Sequence, residues 1–163
     1  MFERIFPSQF DNRYRGHWLG LALFVLILAL KALQGFNSIV WTHRVMVSAD
    51  GIPVDSFSPV AASEATLMFA LLGMYLLVIP VQSAIVLIRY RSMVPFMLLM
   101  LIGIQLGARL IHLLHPDAPA NAGGGVPIGF YVNLGILGLT VVALVFSVIR
   151  PGARVQALDG ARP

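Results

Sequence analysis

The sequence predicts an all-α membrane protein: four transmembrane helices in an antiparallel bundle, both termini cytoplasmic, and a small hairpin-like loop between helices 1 and 2. Three observations carry that expectation. Of 163 residues, 58% are hydrophobic and only 11% charged; the mean hydropathy is +0.86; and four apolar runs reach the about 20 residues that a helix needs to cross hydrocarbon. A soluble domain of this length has too little interior to hide so much apolar surface.

The chain reads as a single integral membrane domain over 1–163. Its first segment, 1–16, places Phe2, Ile5, Phe6 and Phe10 at roughly helical spacing, so it is expected to lie in the cytoplasmic interface, with Pro7 limiting any helix to short pieces. The first span is expected at about 17–39; its apolar run exceeds a usual signal-peptide core and no A-x-A site follows closely, so it is read as retained. Next, RVMVSADGIPVDSFSP alternates apolar and polar residues around Asp50-Gly51, the pattern of a small hairpin outside the membrane. The second span is expected at about 65–89. Ser58-Pro59 is a helix-start pair, so that helix begins before the bilayer and carries Glu64 at its boundary. Pro80 predicts a kink, with Gln82 and Ser83 placed to satisfy the backbone groups it frees. The third span is expected at about 94–114, followed by the flexible composition HPDAPANAGGGVP, and the fourth at about 127–149, leaving 150–163 as a cytoplasmic tail.

Charge placement sets the orientation. Arg4, Arg13, Arg15, Arg89, Arg91, Arg150, Arg154 and Arg162, eight of the eleven Lys and Arg residues, fall on one side, which the positive-inside rule makes cytoplasmic. Asp50, Asp55, Glu64 and Asp117 fall on the other side with Arg44, and Trp18, Tyr90, Trp41, Phe130 and Tyr131 suit the two interfacial belts. The basic balance, net +4 with a pI near 10.1, is thereby a topology signal and does not point to nucleic acid. The absence of cysteine excludes disulfides, thiolate metal sites and cysteine nucleophiles.

Polar residues at membrane depth are the informative ones. At about 1.5 Å per residue, Lys31 lies about 20 Å along the first helix and Arg109 about 22 Å along the third, with Asn133 near the same layer on the fourth. Lys31, Gln34 and Ser38 share one face, with Gly35 and Asn37 beside them; Gln105, Arg109 and His112 share another. A cation facing acyl chains costs several kcal/mol, so both stripes are expected to face the interior, a crevice or a partner. Glu64 is the carboxylate closest to that layer, with Asp50, Asp55 and Asp117 available from loops. Three readings remain open at this level. The cations snorkel to headgroups; Lys31, Arg109 and Glu64 fix the bundle; or Lys31, Gln34, Asn37, Glu64, Gln105, Arg109, His112 and Asn133 line a ligand site.

Other constellations are weaker. His112 and His115 stand at a spacing that metal sites use, and His43, Glu64 and Asp117 are on the right side to complete a set. Histidines beside a proline loop also serve as interfacial caps, so no metal site is favoured. His17 belongs to the opposite boundary, which excludes a shared haem with His112. Ser56, Ser58 and Ser63 offer hydroxyls, but no nucleophile elbow, HExxH or phosphate-binding glycine loop accompanies them. Gly103 and Gly107 form a GxxxG, and Gly135 and Gly138 lie on the fourth helix; both sets suggest packing within the molecule, or self-association.

Through FDNRYRGHWLGL, KALQGFNSI, SADGIPVDSFSP and RYRSMVPFML, over nearly its whole length, the chain resembles a group of small four-span inner-membrane proteins of alphaproteobacteria. That group has no assigned activity, so the resemblance implies an architecture and transfers no catalytic residue; likeness to DoxX-like proteins is architectural alone. The function expected is non-enzymatic: an accessory or assembly subunit of a larger membrane complex, or a lipid-associated bundle. The first alternative is an outer-leaflet site on Lys31 and Arg109 for an anionic lipid headgroup, a quinone or another small ligand. The second is a membrane enzyme or transporter component using Glu64 and His112. No cofactor is indicated, and the partners expected are membrane lipids and other membrane subunits.

Overall fold

The computed structural model describes residues 5–7, 9–114 and 126–149, and among them it contains helices, turns and no strand. Helix α1 is Trp18–Val40, α2 is Thr42–Ser48, α3 is Pro59–Arg89, α4 is Val94–Leu114 and α5 is Ile128–Val148, with single 3-10 turns at Val54–Ser56 and Arg91–Met93. Four of the helices are long and apolar enough to cross a membrane. Their ends fall within a residue or two of the expected spans, except that α3 starts at Pro59, where the Ser58 hydroxyl accepts the Ala61 N–H.

Helix α1 is the central element. Its buried residues Gly20, Phe24, Ile27, Lys31, Gly35 and Ser38 recur every three or four positions and form one line along the helix. It packs between α3 and α5, and α4 packs chiefly on α5. All four long helices meet in a core of Phe24, Ile27, Val86, Val94, Leu98, Leu101, Ile136 and Ala143. Lipid tails are as apolar as these side chains, so the core gains its cohesion from close van der Waals fit and not from leaving water.

Small residues provide that fit, though not those the spacing suggested. A Cβ on Gly35 would lie 2.9 Å from Leu77 Cγ, and one on Gly73 2.8 Å from Ser38 Cβ, so α1 and α3 cross in near backbone contact. A Cβ on Gly20 would lie 2.5 Å from Tyr14 Oη and 2.7 Å from Ser147 Oγ, where the start of α1 meets the end of α5. Gly103, Gly107, Gly135 and Gly138 do not pack within the bundle: a Cβ on any of them would meet nothing within 4 Å. Buried Leu98, Leu101 and Gln105 occupy the opposite side of α4 from Gly103 and Gly107, which is why the GxxxG faces outward.

The hairpin expected after the first span is replaced by helix α2. Trp41 N–H reaches Asn37 O, the Thr42 hydroxyl reaches Ser38 O and Ile39 O, and the helical path resumes to Ser48. Gly51 then turns the chain with φ 67°, so Asp50-Gly51 acts as a helix stop, a role that the same dipeptide fills as readily as a hairpin turn. Met46 and Val54 are buried beneath this cap. Pro80 lies inside α3, but Gln82 is exposed and the fully buried Ser83 hydroxyl has no partner among the described residues, so neither is seen to relieve the backbone there as expected.

The segment before α1 is tied down. Asp11 N–H donates to Ser92 Oγ at 3.1 Å, Ser92 Oγ donates back to Asp11 O at 2.9 Å, and Phe6 stands edge-on to Phe96 at 5.7 Å. Phe6 and Phe10 both keep the interfacial exposure expected of them, and Phe2 lies outside the described residues. The Arg13 N–H, with Arg15 at 2.8 Å, holds the Asp11 carboxyl below its usual pKa. Enlarging a packed glycine and an outward one separates the two classes. Gly20→Leu is expected to destabilise the protein by about 1–3 kcal/mol through overpacking, with Gly138→Leu near neutral, read as unfolding midpoints in one detergent.

Candidate functional site

Of the polar residues singled out at membrane depth, Lys31, Gln34 and Arg109 meet the first turns of α5 at Asn133 and Phe130. Lys31 is only 8% exposed, and its ammonium donates to Gln34 Oε1 at 3.0 Å and Asn133 Oδ1 at 3.2 Å. Gln34 Nε2 also reaches Asn133 Oδ1, at 3.4 Å, while Asn133 Nδ2 is engaged by Gly129 O at 3.0 Å. That last bond fixes which way the Asn133 amide faces, leaving its carbonyl for the cation. Lys31 therefore points inward along the buried line of α1 and does not snorkel.

Arg109 comes to the same helix one turn away. Its guanidinium carbon stands 4.9 Å from the centroid of Phe130, a cation–π contact three residues before Asn133. Gln105, four residues before Arg109 on α4, donates from Nε2 to Thr140 Oγ1 at 3.4 Å, and the Thr140 hydroxyl in turn donates to Ile136 O at 2.6 Å. Among the described residues, the buried Gln105 Oε1 has no donor, and neither does Asn37 Oδ1.

The carboxylates do not enter this layer. Glu64 is exposed on the early turns of α3 and pairs with neither cation among the described residues. Asp55 is held at 2.7 Å by His43 Nε2, both exposed. Asp50 stands beside the first turn of α5, where Gly129 N–H donates to Ala49 O at 2.9 Å and a Cβ on Gly129 would fall 2.7 Å from Asp50 Oδ1. That packing raises the Asp50 carboxyl above its usual pKa through desolvation, partly offset by the charge of His112.

His112 is exposed at the end of α4, and its expected companions His115 and Asp117 lie outside the described residues. Among the described residues no three His, Asp or Glu side chains gather as metal donors. His17 caps α1, its Nδ1 accepting Leu19 N–H at 3.2 Å, and lies beside Phe146 at the opposite end of α5 from Asp50 and His112.

Two participants escaped sequence reading. Thr140 was hidden in an apolar run, although Asn133, Thr140 and Ser147 recur every seven residues, a signal that α5 carries one polar line. Phe130 was assigned to an interfacial belt and is also the seat of Arg109.

Two outcomes are expected from the layer. Asn133→Leu leaves the buried ammonium with one partner and should cost about 1–3 kcal/mol, while adding Lys31→Met should recover part of that loss, a coupling visible in a double-mutant cycle of unfolding free energies. Asp50 binds its proton more readily folded than unfolded. Its contribution to stability is complete below the ordinary value of 3.8 and is lost as pH rises through the raised folded pKa. Asp50→Asn should flatten that part of the pH dependence of the unfolding midpoint.

Compared with protein families, with curated proteins and with solved structures, the chain shows no match.

Proposed function

We propose that the protein is a non-enzymatic four-span subunit of the bacterial inner membrane, its helices antiparallel and both termini cytoplasmic, working by lateral association with other transmembrane helices. The outward glycine face of α4 carries the reading: among the described residues, a Cβ on Gly103 or Gly107 would meet nothing within 4 Å. In lipid such a face allows a second helix to approach closely, which is the main source of helix association where hydrophobic burial contributes nothing. The arginine asymmetry supports the orientation. The partner is a hydrophobic helix of another membrane subunit or of a second copy.

The cysteine-free chain makes the test direct. Purified in mild detergent, the wild type should run with a stoichiometric second chain, and where that chain is a second copy, oxidation should join two Gly107→Cys chains through a disulfide between their introduced thiols. Gly107→Ile should release the free protein while leaving its unfolding midpoint within about 0.5 kcal/mol of wild type. A wild type that runs alone, with an elution profile that Gly107→Ile does not alter, defeats the reading.

A further inference from the structure

We propose that Lys31 and Arg109 form a site for the phosphate of an anionic amphiphile in the outer half of the bundle, a site independent of the glycine face of α4. Both cations seat on the first turns of one helix, Lys31 on Asn133 and Arg109 on Phe130. Among the described residues each is held by neutral groups alone. Gln34 and Asn133 supply two carbonyl oxygens to an ammonium that has three N–H donors, and the described residues give the third no acceptor. Arg109 has a ring face under its guanidinium and no hydrogen-bond acceptor among the described residues, which leaves its five donors free. It cannot shed its proton to escape a low dielectric.

The layer thus holds two positive groups whose neighbours orient them without neutralising them. The nearest turn of α5 adds the positive end of a helix dipole. The carboxylate beside that turn, Asp50, couples to His112 and has no contact with either cation. A phosphate suits this arrangement because several oxygens can accept from a guanidinium fork and an ammonium together. The approach is from lipid: Phe130 is 45% exposed, so acyl chains can lie along α5 while the headgroup reaches Arg109. Lys31, almost wholly buried, then anchors the inner side of the site.

Native mass spectrometry of the full chain, loaded from equimolar phosphatidylglycerol and phosphatidylcholine vesicles and then stripped of lipid in detergent, tests the proposal, with inorganic phosphate titrated in a separate arm. The wild type should retain phosphatidylglycerol preferentially, and Arg109→Gln should weaken retention by roughly tenfold. Lys31→Met should do the same, and Arg44→Gln, outside the site, should change nothing. Arg109→Gln decides the matter if Lys31→Met fails to fold, since Arg109 packs on one ring alone. Binding of inorganic phosphate itself, lost in Arg109→Gln, would assign the same chemistry to a free oxyanion. Equal retention of the two lipids with no phosphate binding, or wild-type retention by Arg109→Gln, overturns the proposal.

Discussion

Where no water reaches, a polar side chain left without a hydrogen bond is costly, and the bonds that polar residues make across helices guide how the helices of this bundle meet. Helix α5 shows it most clearly. Its three polar residues at seven-residue intervals each take a partner from a different element: Asn133 from Lys31 of α1, Thr140 from Gln105 of α4, and Ser147 from Tyr14 ahead of α1, at 2.8 Å. A slide of α5 by one turn would break all three at once. The polar line therefore sets the register that apolar packing alone, tolerant of many arrangements in lipid, would leave loose.

Packing and polarity act on the same surfaces. Gly20 makes room for Tyr14 and Ser147, and Gly35 and Gly73 let α1 and α3 close beside Ser38. The glycines admit the backbones, and the hydroxyls and amides then determine which atoms face one another. At the loop end Gly129 does both, giving up its side chain to Asp50 and its N–H to Ala49.

The four spans were legible because each is a long apolar run, and period and length are what a sequence displays best. The inward stripes were legible as well, since Lys31, Gln34, Gln105 and Arg109 stand at helical spacings on otherwise apolar helices. What the sequence did not disclose is which stripe meets which. Depth counting put Lys31 and Arg109 in one layer; it did not show that they meet α5 at Asn133 and at Phe130, nor that Glu64, offered as their counter-charge, stays outside. The glycines misled for a related reason. GxxxG marks a face that can pack closely, and nothing local says whether its partner is inside the molecule or beyond it. Asp50-Gly51 likewise serves a hairpin and a helix end equally, and burial of Met46 and Val54 decided between them.

The separation of Lys31 from Asn133 by 102 positions has a consequence for assembly. A membrane chain is made from its N-terminus, so α1 enters the bilayer with its lysine long before α5 exists to receive it. Gln34, three residues away on the same helix, is the one partner that arrives together with Lys31. Its contact with the ammonium, at 3.0 Å the shorter of the two in the finished network, is thus also the first that the growing chain can make, two spans before Asn133 arrives.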